Sequence, residues 1–312
     1  MNKVALIIPY FGKWPEWINL YLYSCSRQKN IDFLFFTDCE VPEKTYLNTI
    51  FRQITFADYC SFVSSRLGIE FRPEKVYKLC DLKPFYGVIH EADLKDYEWW
   101  GFGDLDLVYG DLSLLLSECN LQKYDLFTTH ADRVAGHFTV IRKASRYTRL
   151  CFDIPNWQSK LCDQRHLGID ESDFSSVVMP AYYKLALRVY HKIIGRLTSS
   201  RSRFYWVEKF ARCMSLIKSP VRMREYFTTF VPAPGTVCTY NLQTGEIECP
   251  RQQITKMGEC KLYLHFLFFK KTPYLQTEHY WRSDFWQVPQ DYDFSIGSIV
   301  EISTKGVSIR NN

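Results

Sequence analysis

Asp104 and Asp106 are the residues whose types and spacing best suit chemistry in this sequence. They directly follow an aromatic run with two glycines, 97–103, that predicts a buried strand. Ligands of open α/β sheets bind at the carboxyl ends of the strands, and alternate side chains of an extended backbone point the same way. The two carboxylates are therefore candidates to hold a divalent cation that also binds a diphosphate. Asp291 and Asp293 repeat the spacing in a polar stretch, where we expect no site.

The segments that must position this pair follow an α/β pattern. Continuous apolar runs at 4–8 and 32–38 predict strands buried on both faces of a largely parallel sheet, with a helix between them at 14–28. Pro84 fits the first turn of a further helix. More strands are expected at 124–129 and 137–142. The predicted fold class is α/β, with a Rossmann-like, mixed but mainly parallel sheet flanked by helices.

By composition the chain divides into three parts. Residues 1–180 carry the α/β pattern, 181–226 are basic with apolar residues at helical spacing, and 227–312 return to short strands. We expect the middle part to be a basic amphipathic helical insertion and the last part to complete the main domain. The strands expected in that last part are 235–240, 245–249, 260–268 and a terminal hairpin at 298–310.

The composition indicates a folded protein of the cytoplasm. With 46% apolar and 23% charged residues, the sequence is neither disordered nor of low complexity. No apolar run approaches the roughly 20 residues of a membrane span, and the apolar stretch at 4–8 is too short for a signal peptide. The eleven cysteines are odd in number and form no Cys-x-x-Cys pair. We therefore expect reduced thiols, including in the pairs eleven residues apart such as Cys238 and Cys249.

Four blocks of the sequence resemble a known class of enzyme. They are IIPYFG at 7–12, FFTD at 35–38, YKLCDLKP at 77–84 and WGFGDLD at 100–106. In this order they are similar to bacterial GT-A glycosyltransferases of capsule and lipopolysaccharide assembly, over roughly residues 1–180. The resemblance implies a GT-A fold, a nucleotide-sugar donor, usually a UDP-sugar, and Mn²⁺ or Mg²⁺ held by Asp104 and Asp106.

Carried over position by position, the resemblance assigns further donor contacts. The loop Pro9, Tyr10 and Phe11 would lie against the nucleotide base, and Asp38 would contact uridine or ribose. Asp104 would face the donor as well as the cation. The charged block would offset the phosphate charge, or would simply be the solvated start of a helix. Its members are Lys78, Asp81 and Lys83.

Near the C-terminus, His265 followed by Lys270 and Lys271 is similar to the corresponding block of glycogenin-like and lipopolysaccharide galactosyltransferases. In those enzymes a histidine completes the metal shell and a following lysine touches the diphosphate. This chain departs from the pattern, because Phe268 stands where a glycine is expected and the Pro-Trp pair after the lysines is missing. The alternative is a histidine satisfied within the core.

The catalytic carboxylate is expected in the acidic block at 170–173, with Glu171 first and Asp173 second. Inverting GT-A enzymes use such a residue as the general base that deprotonates the acceptor hydroxyl. The same acids also suit the N-terminus of a helix, and a retaining reaction needs no such base. Gly136 and His137 are candidates to line the sugar or acceptor pocket, or they form a plain turn.

From Lys184 to Arg224 the chain carries eleven basic residues and one acid. Four of the basic residues repeat every fourth position, which costs stability on a helix unless an anionic partner lies beside it. They are Lys184, Arg188, Lys192 and Arg196. This column suits the anionic inner face of the cell membrane, where lipid-linked glycan acceptors would lie. The alternative is a solvated helix pair packed on the domain.

Together these features predict a metal-dependent glycosyltransferase. It would move a hexose, with galactose as one candidate, from a UDP-sugar to a surface polysaccharide or lipid-linked glycan, and it would have no nucleic-acid partner. One alternative is a nucleic-acid-binding protein that uses aromatic residues such as Tyr190 and Trp206 among the arginines. Another is a sugar nucleotidyltransferase, which would need a glycine-rich phosphate loop in place of the block at 7–12.

Overall fold

The computed structural model describes residues 4–179, 181, 184–185, 188, 192, 219–250, 262–270, 284–296 and 299–310. The strands are β1 (Val4–Pro9), β2 (Ile31–Thr37), β3 (Thr49–Gln53), β4 (Trp99–Gly103), β5 (Leu107–Tyr109), β6 (Leu126–Thr128), β7 (Phe138–Arg142), β8 (Val221–Met223), β9 (Val237–Asn241), β10 (Ile247–Glu248), β11 (Tyr263–His265), β12 (Ile299–Ser303) and β13 (Gly306–Arg310). The α-helices are α1 (Ile18–Ser26), α2 (Phe56–Leu67), α3 (Tyr86–Ile89), α4 (Glu118–Lys123), α5 (Trp157–Cys162), α6 (Asp173–Val178) and α7 (Leu267–Lys270). Shorter 3₁₀ helices are Val76–Phe85, Leu112–Leu114, Arg146–Thr148 and Leu150–Asp153.

The main sheet has seven strands in the order β3-β2-β1-β4-β7-β6-β8. The first four are parallel, β7 is antiparallel to both β4 and β6, and β8 runs parallel to β6. β1 and β4 are buried over nearly their whole length because apolar clusters pack on both faces of the sheet. One cluster includes α2 and the other includes α1. The chain is therefore an α/β protein with a mixed, mostly parallel sheet flanked by helices, compatible with a Rossmann-like fold.

A second, antiparallel sheet has the order β10-β9-β12-β13 and its own apolar cluster. A disulfide joins Cys238 on β9 to Cys249 just after β10. The expectation of reduced thiols is therefore wrong for this pair. The spacing of eleven residues is the length that lets a hairpin bring these two positions face to face.

A two-stranded antiparallel ribbon, β5 with β11, links the two halves of the chain. β5 begins directly after Asp106, and its Leu107 is paired with His265 at the end of β11. The ribbon lies beside the carboxyl end of β4 because only three residues separate β4 from β5, and Asp104 N donates there to His137 O, just before β7. Residues separated by about 160 positions in sequence are thereby brought to one edge of the main sheet.

The predicted strands at 4–8, 32–38, 97–103, 124–129 and 137–142 are confirmed as β1, β2, β4, β6 and β7. The two C-terminal hairpins are confirmed as well, whereas the strand expected at 260–268 is limited to 263–265, because a short helix begins at Leu267. The helix expected at 14–28 is shorter, and Pro84 lies near the end of a 3₁₀ helix rather than in a first turn. Sequence reasoning missed β3 and α2. The expected helical insertion ends too late, because 221–223 form β8 of the main sheet.

Candidate active site

The loop from β4 to β5 presents Asp104 and Asp106 at the carboxyl edge of the parallel strands. Its backbone is held from two sides. Trp17 Nε1, just before α1, donates to Leu105 O at 2.9 Å, and Phe266 N donates to Asp106 O at 3.1 Å. These buried contacts fix the path of the loop, so that the positions of the two carboxylates are set by the core rather than by solvent.

Asp104, Asp106 and His265 form a compact group of potential ligands. One ligand atom from each lies within 4.8 Å of the others. Asp106 and His265 are buried, and Asp104 is half-buried on the open side. His265 Nε2 lies 3.3 Å from Asp106 Oδ1 but makes no hydrogen bond with the described residues. A buried imidazole nitrogen without a hydrogen bond, beside two carboxylates, is a donor set that fits a divalent cation.

Two lysines neutralise this acidic group. Lys270 Nζ lies 2.9 Å from Asp106 Oδ2, and Lys83 Nζ lies 2.5 Å from Asp104 Oδ1. Burial by itself would raise the pKa of Asp106, but Lys270 and then His265 outweigh it and hold that pKa well below its usual range. Burial would likewise lower the pKa of Lys83, and Asp104 reverses the shift. Each of the two lysines therefore forms an ion pair with one of the two aspartates, and the ammonium groups lie beside the potential cation ligands.

Behind His265 lies a chain of polar side chains that sequence reasoning did not find. His265 Nδ1 is 2.9 Å from Thr229 Oγ1, which is 3.2 Å from His137 Nε2. The rings of His137 and His265 stack with their centroids 4.4 Å apart. Burial, and then His265, lowers the pKa of His137 well below its usual range. His137, which was predicted to line a pocket, therefore lies beside the group of Asp104, Asp106 and His265.

The block at 170–173 contributes one buried carboxylate, and it is Asp170 rather than the two predicted residues. Asp170 is 4% exposed, and its Oδ2 lies 3.6 Å from Lys83 Nζ. Burial raises the pKa of Asp170 to about 6, although Lys83 opposes the shift. Glu171 is next to it and accepts from Gly136 N at 3.2 Å. Asp173 begins α6 and pairs with Lys160 at 2.7 Å, so the structure does not bring it to the group.

Gly136 is required for this close approach. A Cβ at this position would lie 2.4 Å from Asp170 Oδ2. Its carbonyl also accepts from Lys83 Nζ at 2.9 Å. The glycine therefore lets the backbone, the ammonium of Lys83 and the carboxyl of Asp170 pack together.

Lys78 and Asp81, predicted to face the donor, are fully buried and serve the segment that carries Asp170. Lys78 Nζ contacts Asp81 Oδ2 at 2.9 Å and donates to the carbonyls of Lys160 and Arg165 at 2.8 and 2.7 Å. Asp81 also accepts from the backbone nitrogens of Leu167 and Ile169. These hydrogen bonds tie the backbone of residues 160–169 to the buried side chains of Lys78 and Asp81. Asp81, His166 and Asp170 also have ligand atoms within 4.8 Å of one another. Because Asp81 is already occupied by these donors, we assign no cation to that group.

The loop after β1 offers a flat aromatic surface near the site. Tyr10 stacks on Trp14 with the rings 8° from parallel and 5.2 Å apart. Burial raises the pKa of Tyr10 to about 12, with smaller contributions from Cys39 and Asp106. Phe11 is buried against Phe56 and does not share this surface. Trp14, which sequence reasoning missed, therefore lies beside Tyr10 at the position expected for Phe11.

The other predicted positions lie farther from the group or outside the described residues. Pro9 ends β1. The exposed Asp38, just after β2, accepts from Gly12 N at 2.7 Å and so links the segments that follow β1 and β2. Asp293, of the second aspartate pair, forms an exposed ion pair with Lys44. Lys271 and Arg196 are outside the described residues.

Only part of the basic column can be placed. Lys184, Arg188 and Lys192 are helical, and the last two are exposed. Leu185, one of the apolar residues at helical spacing in this part of the chain, is 63% exposed. In the described parts of the chain, no helix combines the length and the apolar character that a bilayer crossing requires.

The fold and the acidic group define an α/β protein with a mixed sheet and a cluster of two aspartates and one histidine at the carboxyl edge of its parallel strands. The chain belongs to DUF6625, a family of unknown function, whose pattern it matches over residues 6–294. Comparison with curated proteins finds no match.

Proposed function

We propose that this protein is a metal-dependent glycosyltransferase that moves a hexose from a UDP-sugar to a glycan acceptor. The observation that carries the proposal is the group of Asp104, Asp106 and His265 at the carboxyl edge of the sheet, with two lysines beside it. Carboxylates and one imidazole suit Mn²⁺ or Mg²⁺, and lysines suit phosphate oxygens. An acidic pair alone would repel a nucleotide, whereas this arrangement of both charges attracts a cation and a diphosphate together.

In the proposed reaction, different residues of the chain bind the cation, the phosphates and the nucleotide base. Asp104, Asp106 and His265 would hold the cation, which when bound supplies charge neutralisation to the leaving diphosphate. Lys270 and Lys83 would donate to phosphate or sugar oxygens once they leave their carboxylates. The stacked pair of Tyr10 and Trp14 offers a surface for the nucleotide base.

Asp170, which lies 3.6 Å from Lys83, and its neighbour Glu171 are the candidate catalytic carboxylates. In an inverting reaction one of them would take the proton of the acceptor hydroxyl as it attacks the anomeric carbon. The buried Asp170, with its raised pKa, has the ordinary properties of a proton acceptor near neutral pH. Its contact with Lys83 supports this role, because Lys83 is one of the proposed donor contacts.

The GT-A form of the fold belongs to the same proposal. The parallel order β3-β2-β1-β4, the antiparallel β7, and the ribbon that returns His265 to the aspartate pair support it. We further propose that the acceptor is a surface polysaccharide or a lipid-linked precursor, reached at the inner face of the membrane. The exposed Arg188 and Lys192 support an anionic surface as partner.

A thermal-shift experiment tests the proposal. UDP with Mn²⁺ is expected to raise the melting temperature of the wild-type protein, and Asp106→Asn is expected to lose most of that shift. Asp293→Asn is the matched control, because Asp293 belongs to the second, exposed pair and should keep the full shift. The proposal fails if no uridine nucleotide shifts the wild type with manganese, or if Asp106→Asn responds as fully as the control. A screen of nucleotide sugars for hydrolysis then identifies the sugar.

A further inference from the structure

We infer that a basic and aromatic surface beside β8 binds the anionic headgroups of a lipid bilayer. Its five residues, which we call the β8 patch, are Lys123, Tyr124, Arg222, Arg224 and Tyr226. β8 is the last strand in the order of the main sheet, so the patch lies at an edge of that sheet. The inference goes beyond the proposed function, which assigns a membrane contact only to Arg188 and Lys192, and it involves none of the candidate cation ligands.

The β8 patch alternates cations with tyrosine rings. Lys123 Nζ and Arg222 Cζ each lie 5.2 Å from the centre of the Tyr124 ring. Arg224 Cζ lies 5.1 Å from the centre of the Tyr226 ring. Arg222 also joins the two rings, because its Nη1 donates to the Tyr124 hydroxyl at 3.3 Å and its Nε donates to the Tyr226 hydroxyl at 3.2 Å. These contacts hold the three cations side by side.

The three cations form no ion pair with a carboxylate of the described residues. The acids nearest to them in sequence are engaged elsewhere. Asp125 pairs with Arg142 at 2.8 Å. Glu225 contacts His130 at 3.2 Å, and its side chain is only 10% exposed. Because like charges that are held together repel one another, the patch favours an anion from outside the chain.

The positive charge of the patch is accessible. Lys123 and Arg224 are exposed, and Tyr124, Arg222 and Tyr226 are half-buried. The phenol of Tyr124 responds to this charge. Burial by itself would raise the pKa of Tyr124, but Lys123 and then Arg222 outweigh burial and lower that pKa.

The arrangement favours lipid headgroups over a nucleic acid. A nucleic acid binds tyrosine by stacking a base on the face of the ring, but cations already lie over the rings of Tyr124 and Tyr226. Headgroup phosphates need no ring face, and because they are spread over a plane they can contact several cations at once. Tyrosine side chains are also common where protein meets the surface of a bilayer. The exposed Arg188 and Lys192, in the same basic stretch of the sequence, would add to the attraction.

Co-sedimentation with vesicles tests the inference on the full-length protein, with a chelator and no nucleotide. The wild type is expected to bind vesicles that contain phosphatidylglycerol and to bind vesicles of phosphatidylcholine alone much more weakly. Replacing Lys123, Arg222 and Arg224 together with Gln should weaken binding about 100-fold, because each basic side chain at an anionic surface contributes about fivefold. The matched control removes the same charge from three exposed lysines elsewhere and should keep most of the affinity. These are Lys29, Lys75 and Lys95.

Equal weakening in the patch variant and the control, or equal binding of the wild type to neutral and anionic vesicles, would overturn the inference. It is also wrong if the wild type binds a single-stranded oligonucleotide through the patch and binds no vesicles. Lys123→Gln with Arg224→Gln is the second variant, to be used if circular dichroism shows the triple variant unfolded. Both side chains are exposed, and Arg222 keeps its hydrogen bonds, so this double variant should bind roughly 20-fold more weakly.

The outcome is independent of the proposed function. Vesicle binding is measured without a divalent cation or UDP, and the patch variant should keep the full thermal shift that UDP with Mn²⁺ gives the wild type. Loss of vesicle binding with a normal thermal shift confirms the inference alone. A missing thermal shift in the wild type refutes the proposed function without touching the inference.

Discussion

Replacing Lys270 with Met would remove the ammonium group that pairs with the buried carboxylate of Asp106. Lys270 Nζ lies 2.9 Å from Asp106 Oδ2, and the two side chains are 10% and 9% exposed. Methionine keeps the apolar length of the chain, which lies beside Trp17, with the ammonium 5.1 Å from the ring centroid. The substitution therefore changes charge more than packing. Breaking one partner of a buried ion pair costs about 3–5 kcal/mol, and His265 beside Asp106 favours the lower end.

The same substitution should strengthen the binding of Mn²⁺ alone. A cation and the ammonium of Lys270 compete for Asp106, so that removing the ammonium removes the competitor. A tenfold gain in affinity adds about 1.4 kcal/mol of stabilisation at a fixed, saturating cation concentration. Binding of UDP together with Mn²⁺ should instead weaken, because Lys270 is the proposed phosphate contact. The affinity for Mn²⁺ alone and the affinity for UDP with Mn²⁺ are therefore expected to change in opposite directions.

Urea unfolding at pH 8, with Mn²⁺ or with a chelator, measures the loss of stability and the stabilisation by Mn²⁺. Calorimetry with UDP and Mn²⁺ measures the affinity for the nucleotide. Lys44→Met is the control, since the Lys44–Asp293 pair is exposed and worth at most about 1 kcal/mol. Equal stabilisation of wild type and Lys270→Met by Mn²⁺ would refute the reasoning, because it would mean that Lys270 does not compete for Asp106.

Three further predictions concern the surrounding structure. Gly136→Ala places a Cβ against Asp170 and should cost about 1–3 kcal/mol in urea unfolding, with a normal free energy of unfolding as the contrary result. Lys78→Met leaves Asp81 charged and buried without its ammonium, so the urea midpoint should fall by the equivalent of about 3–5 kcal/mol, and an unchanged midpoint would contradict the anchoring role. The pKa of Asp170 is raised to about 6 in the folded protein, above its unfolded value, so its ionisation destabilises the fold as pH rises through 6. Asp170→Asn should therefore gain up to about 3 kcal/mol over the wild type at pH 8 and roughly half of that at pH 5, whereas a gain independent of pH would count against the shift.

Strands with continuous apolar runs were predictable because burial on both faces leaves an unmistakable pattern. β1, β2 and β4 are of this kind, and the position of Asp104 and Asp106 follows from them. β3 was missed because only its first residue is buried and its last two are exposed. The strand β8 was hidden in a basic segment, since a three-residue strand is too short to show a period.

For the candidate site, the sequence predicted the types of residue involved better than it predicted their exact positions. His265 and Lys270 were predicted from a resemblance, and the structure brings both to the aspartate pair. Asp170 could not be separated from Glu171 by sequence, because three acids within four positions differ only in the direction each side chain takes. Thr229 carried no signal at all. Its place is set by pairing with His265, and that pairing spans 36 positions.

The ribbon of β5 and β11 also has a consequence for the order in which the protein is made. Asp104 and Asp106 leave the ribosome early, whereas His265 and Lys270 follow only after about 160 more residues have been synthesised. Contacts so distant along the chain form late, because their loop must close before they contribute any stabilisation. A nascent chain thus carries both acids without the imidazole of His265, and the complete cluster can assemble only when translation of this region has finished. Premature termination before β11 would release a product that keeps most of the main sheet but has lost part of its cation cluster.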